Sequence, residues 1–423
     1  MAARIAIKDI CTVYDGPHAT PQKTEIGPIY LGIDAITDDG KIDPNQFSHL
    51  SEEDYIKWTK RVTPRYGDIV FSYEATLGRY ALIPKDFYGC LGRRLAVIRN
   101  TSPDIDTTWL YYYFRSAEWT NFIQSKIVKG STVNRISIED FPHYTIPCVP
   151  IETQKKIVGV LSRLDRKIQT NDAINDNLQQ MVKTIYDYWF TQFDFPNECG
   201  KPYSASNGQM VWNETAKQNL PLGWSCSKME NAIENIRTGL NPRDNFKLGG
   251  GSIKYITVKN LRSDGVLDFS GCDTIDEAAR QIVHRRSDVS VGDILFASIA
   301  PLGRCYLVQE APQDWDINES VFSIRYNKET VTPEYLYMHL QSEAFVKEST
   351  ACSTGSIFKG IRINSLLDSK IIIPPMEIIE AFSKEVRPLF AMQNRLNTET
   401  HALIQLRDWL LPMLMNGQAT VSD

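Results

Sequence analysis

The sequence predicts an α+β protein built twice over: two similar globular mixed α/β domains separated by two long antiparallel coiled-coil helices, an internal duplication with a period of 225 residues. Three observations carry that prediction. Gly67-Asp68-Ile69-Val70-Phe71 returns as Gly292-Asp293-Ile294-Leu295-Phe296, and Leu77-Gly78-Arg79 returns as Leu302-Gly303-Arg304, each 225 residues later. Ile157, Leu164, Asn171, Leu178 and Ile185 fall seven apart, beside a second row of Leu161, Ile168, Asn175, Val182 and Trp189; these are the d and a positions of a heptad. The d row recurs 225 residues on as Phe382, Leu389, Leu396, Leu403 and Leu410, while its a row (Val386, Gln393, Thr400, Arg407, Leu414) is partly polar.

The repeat extends well beyond these anchors. Tyr30, Gly40 and Asp43 match Tyr255, Gly265 and Asp268; Gly130-Ser131 matches Gly355-Ser356; Pro150 and Glu152 match Pro375 and Glu377. In between the offset slips by one, so that Ile98-Arg99 meets Ile324-Arg325 and Ser116 meets Ser342. The period is far longer than that of a solenoid, so each copy is a whole domain plus a helix.

Within a copy, the Gly-Asp turn opens an apolar strand (Ile69–Ser72, Ile294–Ala297) and the Leu-Gly-Arg turn feeds its neighbour (80–83, 306–308). Aromatic segments 107–116 and 333–342 read as helices started by Asp106/Thr107 and Thr332/Pro333. A loop around Gly130-Ser131-Thr132 or Gly355-Ser356-Ile357 follows, then a short strand (144–147, 371–374) that ends in proline. Glu152 or Glu377 then sits in the first turn of the long helix, where the helix dipole favours acid. Residues 191–222, rich in Gly, Pro, Asn and Ser, read as a returning loop, and Gly249-Gly250-Gly251 as a flexible turn. Pro388 predicts a kink near Arg387. The resulting division is a globular domain 1–150, a long helix 151–192, a linker 193–222, a globular domain 223–375, a second long helix 376–416 and a tail 417–423. At a rise of about 1.5 Å per residue, the heptad row of the first helix is about 50 Å long. One turn of B-DNA is about 34–36 Å, so the geometry suits a molecule that touches two separated places on a duplex.

Composition narrows the function. A chain of 423 residues holds more than one core. It has no run of eighteen apolar residues and no apolar leader in MAARIAIKDI, so no membrane is expected and a cytoplasmic location is. Eight cysteines without a CxxC or a nearby histidine pair read as reduced, partly buried thiols. The net charge of −5 is spread evenly: Lys and Arg number 17 against 18 acidic residues in 1–150, and 17 against 19 in 220–375. Phosphates would therefore have to meet local patches, not a cationic domain.

No catalytic constellation is present. There is no Walker A loop, HExxH, GxSxG or GxGxxG. Asn45 in DPNQ and Asn241 in NPRD read as turn residues, without the Pro-Pro-aromatic context that holds a flipped base, and Asp104 and Asp106 lack a following Glu-x-Lys. The six histidines are dispersed. No metal site, catalytic residue or resident cofactor is expected.

What remains is basic residues at turns. Lys60-Arg61 and Arg65 precede the first Gly-Asp turn, Arg285 and Arg286 the second, and Arg93-Arg94 sits between a turn and a strand. Arg79 and Arg304 occupy the same place in both copies, so a turn-forming role competes with base contact for them. Arg93, Arg94, Arg243, Lys259, Arg262, Arg285 and Arg286 differ between the copies and are better placed to read different sequences; Arg135 and Lys359 complete the candidates. For any single arginine a solvated surface charge competes with base contact. Arginine's fork pairs with guanine, and Asn or Gln with adenine. The predicted contact surface of the helix pair is Ile157, Leu161, Leu164, Ile168, Leu178, Val182, Ile185, Leu389, Leu396, Leu403 and Leu410. Asn171 and Asn175 either fix register in this seam or meet water where the helices splay.

The GDI(V/L)F…LGR segments resemble the specificity (S) subunit of type I restriction-modification systems. So do the Gly-Ser-Thr loop leading through ISIEDF to IPxxPxE, and the helix IETQKKIVGVLSRLDRKI. The second copy departs at Ile378-Ile379-Glu380, where the first has Thr153-Gln154-Lys155, and at Lys359-Gly360 near the place of Asn134-Arg135. The resemblance implies a non-catalytic reader of double-stranded DNA. Each globular part would be a target recognition domain for one half of a bipartite sequence, with the helices measuring the spacer between the halves. It implies two methyltransferase (M) subunits carrying S-adenosylmethionine, and restriction (R) subunits using ATP and Mg, with no cofactor in this chain. A coiled-coil scaffold joining two protein-binding domains, and a self-sufficient methyltransferase or nuclease with degenerate motifs, are the competing readings.

Overall fold

The Gly-Asp turns show most directly how this sequence makes its folds. In the computed structural model, which describes residues 3–129, 133–352 and 360–421, Gly67 and Gly292 have φ of 81° and 89°, a left-handed conformation that suits glycine. The next residue turns its carboxylate inward. Asp68 Oδ2 accepts from the Arg65 N–H at 2.8 Å, and its two oxygens accept from Arg99 Nε at 2.9 Å and Nη2 at 2.6 Å. Asp293 repeats this: Ser290 N–H at 2.9 Å, Arg325 Nε and Nη2 both at 2.9 Å. Each arginine also donates to a carbonyl of the segment before the turn, Thr63 at 2.9 Å or Asp288 at 2.7 Å. A buried carboxylate thus stitches the start of one strand to the end of its antiparallel neighbour.

The chain forms two compact units, Met1–Gln169 with His401–Asp423, and Thr170–Thr400. In unit 1 the elements are β1 (Arg4–Ala6), β2 (Cys11–Asp15), β3 (Thr24–Leu31), β4 (Ser48–His49), α1 (Glu52–Trp58), β5 (Ile69–Ser72), β6 (Tyr80–Leu82), β7 (Gly89–Leu91), β8 (Leu95–Asn100), α2 (Thr107–Phe114), α3 (Ala117–Lys126), β9 (Thr145–Pro147) and the first part of α4 (Ile151–Tyr186). They form a four-stranded sheet β2-β8-β5-β6, a three-stranded sheet β4-β3-β7 and a pair β1-β9. Ladders are antiparallel except β3 with β7, where Tyr30 lies opposite Cys90.

Unit 2 contains β10 (Met210–Asn213), β11 (Gln218–Pro221), β12 (Ser225–Lys228), β13 (Ile233–Thr238), β14 (Ile253–Ile256), β15 (Asp273–Ile275), α5 (Glu277–Ser287), β16 (Ile294–Ala297), β17 (Cys305–Leu307), β18 (Trp315–Ile317), β19 (Val321–Tyr326), α6 (Pro333–Gln341), α7 (Glu343–Cys352), α8 (Ile363–Asp368), β20 (Lys370–Ile373) and most of α9 (Met376–Met415). Its sheets β13-β19-β16-β17, β15-β14-β18 and β12-β20 repeat those of unit 1 strand for strand, including the parallel pair, in which Tyr255 faces Asp316. The duplication is therefore one of topology and register. Leu82 and Leu307 both pair across the Gly-Asp strand at the same place, opposite Ile69 and Ile294. The one-residue slip thus enters after them, in the turn at 309–314. There Gln309 donates to the Phe390 carbonyl at 3.1 Å, and Glu310 accepts from Asn394 at 2.8 Å, both on α9.

The aromatic segments form the predicted helices α2 and α6, capped by Asp106 and Thr332. They bury Trp109, Tyr113, Phe114, Tyr335 and Leu336 in the main cores. A Cβ on Gly40 or Gly265 would collide with the hydroxyl of Tyr111 or Tyr337, which accounts for the matching glycines. The predicted loops at 130–132 and 355–357, and Lys359, lie outside the described residues.

The reading of 191–222 as a plain loop needs correction. Met210–Asn213 and Gln218–Pro221 form a hairpin, turned by Asn213 as its side chain accepts from Thr215 and Ala216 N–H at 3.0 and 2.9 Å. Phe195 stacks on Tyr203 and Trp224. Short alternation inside a Gly/Asn-rich stretch hid the strands.

Each unit contains its own antiparallel helix contact. In unit 1, Ile157 and Leu161 share a core with Leu411, Leu414 and Met415, and Arg407 Nη1 meets Asp165 Oδ1 at 3.1 Å. In unit 2, Val182 and Tyr186 share a core with Phe382 and Val386. Next to them Asn171 donates to Glu399 at 2.9 Å and Thr400 at 3.2 Å, and Asn175 to Asn397 at 2.6 Å. Of the predicted contact residues, Ile157, Leu161, Ile168, Leu178 and Val182 are buried, whereas Leu164, Ile185, Leu389, Leu396, Leu403 and Leu410 are half-buried. On α9 the deeper row is Val386, Phe390, Arg407, Leu411 and Leu414. The polar Arg407 there is neutralised by Asp165 and Asp408. Helix α9 runs unbroken through Pro388, which leaves the Lys384 carbonyl without its intrahelical donor. No helix of the described residues is long and apolar enough to cross a membrane.

Candidate nucleic-acid interface

The arginines differ sharply in what they are free to do. Arg79 is held by Asp38 at 2.6 Å and the Ile36 carbonyl at 3.1 Å, so it builds its turn. Arg304, its counterpart, is half-buried and has no side-chain partner among the described residues; the sequence places Ser263 where Arg79 finds Asp38. Arg262 is paired with Asp264, Arg94 with Glu74 at 3.5 Å, and Arg61 with the Gly16 carbonyl at 3.3 Å and, more loosely, Asp15 at 3.9 Å. Arg65 contributes its backbone N–H to the Asp68 turn and exposes its side chain. Arg135 is exposed, its backbone bridged to Val128. Arg93, Arg243, Lys259, Arg285 and Arg286 are exposed and show no side-chain partner among the described residues. Arg285 and Arg286 close the last turn of α5, where the helix dipole favours cations.

Arg93 and Arg94 are brought together with residues the sequence did not single out. An open cleft of about 490 Å³ in unit 1 is lined by Arg93, Arg94, Lys23, Asn45, Gln46 and Thr20, with Tyr30 among its walls. Asn45 and Gln46 follow Pro44 in a short turn whose cap, Asp43, accepts from the Asn45 N–H at 3.0 Å. In sequence this looks like a turn and nothing more. The cleft is framed by the parallel β3–β7 pair, where Gly92 N–H reaches the Leu31 carbonyl at 2.7 Å, too close for any Cβ at Gly92.

Unit 2 anchors the corresponding place differently. Asp316 stands on β18 where Cys90 stands on β7, and it is fully buried. It accepts from Ser287 Oγ at 2.6 Å and the Ile317 N–H at 2.8 Å, and lies 3.0 Å from His284 Nδ1. Burial raises its carboxyl above the usual range, opposed by those bonds. This ties down the end of α5, and with it Arg285 and Arg286. Burial pushes the Cys11 and Cys90 thiols up to about 12; they and the other five described cysteines are free. Among the described residues no group of three or more His, Cys, Asp or Glu could hold a metal ion.

A doubled α+β frame that carries exposed cations at its turns defines a candidate nucleic-acid reader, and the comparisons give it a family. The model of the type I restriction modification DNA specificity domain matches residues 5–180 and 201–406. The chain belongs to that family, and its role is DNA sequence specificity in a type I restriction-modification system. It is 22% identical over 377 residues to the type I restriction enzyme MjaIX specificity subunit of Methanocaldococcus jannaschii, covering 89% of this chain and 82% of that one. It is 22% identical over 434 residues to the HindI specificity subunit of Haemophilus influenzae, covering 90% and 93%. The fold matches the crystal structure of a type I S subunit from M. genitalium with a TM-score of 0.53 at 16% identity, over 97% of this chain and 95% of that one. Type I specificity subunits bind DNA and work in complexes with M and R subunits.

Proposed function

We propose that each unit reads one half of a bipartite DNA sequence and that this chain performs no chemistry of its own. The observation that carries the reading is that both units keep one frame, down to the buried Asp68–Arg99 and Asp293–Arg325 pairs. The exposed turn residues, by contrast, differ from one unit to the other. A constant frame with diverged loops is what reading two unlike half-sites from one architecture requires.

Helices α4 and α9, of 36 and 40 residues, set the unread spacer; at about 1.5 Å per residue they are about 54 and 60 Å long. They also dock two M subunits. Exposed Met181, Met392, Leu406 and Trp409 on these helices support a protein partner there. S-adenosylmethionine belongs to the M subunits, ATP and Mg to the R subunits, and the assembly works in the cytoplasm. The test is the methylation pattern of a host with and without this chain. A motif of two short blocks at a fixed gap should vanish on deletion; an unchanged pattern would refute the reading.

A further inference from the structure

The turn between β7 and β8 is unusual in three ways. Arg94, a non-glycine residue, adopts φ of 74°, a left-handed conformation that costs on the order of 1 kcal/mol and persists where the surroundings demand it. Arg93, just before it, keeps its guanidinium exposed and without a side-chain partner among the described residues, while its backbone N–H is fixed by the buried Tyr30 hydroxyl at 3.1 Å. The cleft beside it presents Lys23, Asn45, Gln46 and the carboxylate of Asp34, so charged and amide groups face one open space.

Unit 2 has a turn of the same length between β18 and β19, but Ser320, at the place of Arg94, is not left-handed, and the Asn318 side chain accepts from its N–H at 3.1 Å. Asn318 N–H meets the Ile256 carbonyl at 2.8 Å, as Gly92 N–H meets Leu31. Tyr255 lies in the core at the place of Tyr30, but its hydroxyl donates to the Leu240 carbonyl and meets the Glu319 carboxylate instead of holding the turn N–H. Counting from the facing pairs Tyr30–Cys90 and Tyr255–Asp316, Arg93 corresponds to Glu319 and Asp34 to Lys259. Both charges are reversed while the strand pairing that carries the turn is kept. Glu319 and Lys259 are exposed, as Arg93 and Asp34 are. A residue needed only for phosphate contact would be cationic in both units. A residue that reads base edges would change with the base, because an arginine fork suits the acceptors of guanine and a carboxylate the amino group of cytosine.

We infer that this turn is the base-reading position of each unit, with Arg93 selecting a guanine in one half-site and Glu319 a cytosine in the other. The inference deepens the bipartite reading above and rests on it. It is tested in the complex assembled with its M subunits, on plasmid DNA whose methylated motif is determined by sequencing. The variants are Arg93→Ala, Arg93→Lys and Glu319→Gln. Arg93→Ala should relax one guanine of one block, with about a ten- to hundredfold loss of discrimination there, and leave the other block untouched. Glu319→Gln should relax one cytosine in the other block only. Arg93→Lys, which keeps the charge and loses the fork, should relax the same guanine more mildly.

A uniform fall in methylation with both blocks unaltered would overturn the inference, because it marks a phosphate contact. So would Arg93→Ala and Glu319→Gln altering the same block. If the unsubstituted complex methylates no two-block motif, the bipartite reading fails and this inference with it. If the motif is bipartite and indifferent to these variants, this inference alone fails.

Discussion

Replacing Arg325 by Met tests whether the Gly-Asp turn holds the frame as described. Arg325 gives Asp293 two bonds of 2.9 Å, reaches the Asp288 side chain at 3.2 Å and donates to the Asp288 carbonyl at 2.7 Å. The Asp293 side chain is 3% exposed, so methionine leaves a carboxylate with no access to water and two donors, Ser290 N–H and Ser323 Oγ. Orphaning one member of a buried pair costs about 3–5 kcal/mol; the surviving donors favour the lower end, about 3 kcal/mol. Amide hydrogen exchange at Ile294–Ala297 and Val321–Tyr326 reads this locally, and the matching strands of unit 1 serve as an internal control. Protection in unit 2 should fall by about 100-fold or more, and Arg325→Met with Asp293→Asn should cost at least about 2 kcal/mol less than the two single changes added together. Losses under about 1 kcal/mol, or full additivity, would show that the pair is incidental.

Three further outcomes follow from other buried groups. Gln154 is fully buried and bonds Asp106 N–H at 2.8 Å and the Asp104 and Val149 carbonyls at 3.0 and 2.7 Å; Gln154→Ile, which installs the residue unit 2 carries at Ile379, should lower protection of α2 by about 2–3 kcal/mol. Asn171→Leu should stabilise the 170–186 segment by about 1 kcal/mol in the same assay, because Asn171 Oδ1 is buried without a partner and apolar replacement of a seam amide trades specificity for stability. His339 has its Nε2 buried and unpartnered, and burial lowers its pKa to about 4. Since the unfolded chain takes up that proton near pH 6.5, unit 2 should hold its full stability above that pH and lose on the order of 2 kcal/mol as pH falls from 6.5 to 4. His339→Gln should flatten that limb in urea titrations at each pH.

Much of the architecture was legible because its anchors are backbone devices. Gly67 and Gly292 sit at left-handed turns, and the aspartates after them are buried, so those positions were not free to drift and the offset survived. The heptad rows were legible for the same reason, as periodic burial. The depth of the α9 rows was not, because Arg407 looks solvent-bound until Asp165 is seen beside it. The hairpin at 210–221 was hidden by its short strands and Asn-rich turn. The site was the least readable part. Arg93 was a candidate by type, but Lys23 and Gln46 come to it through the parallel β3–β7 pairing, which no local pattern encodes, and the partners of Arg79, Asp38 and the Ile36 carbonyl, lie some forty residues away in sequence.

The most direct test of the duplicated-reader account is exchange of residues 3–147 for the matching segment of a relative with a different target, followed by sequencing of the methylated motif in cells that also hold the M subunits. The account predicts that one block changes while the other block stays as it was. A motif in which both blocks change together, or neither does, would contradict it.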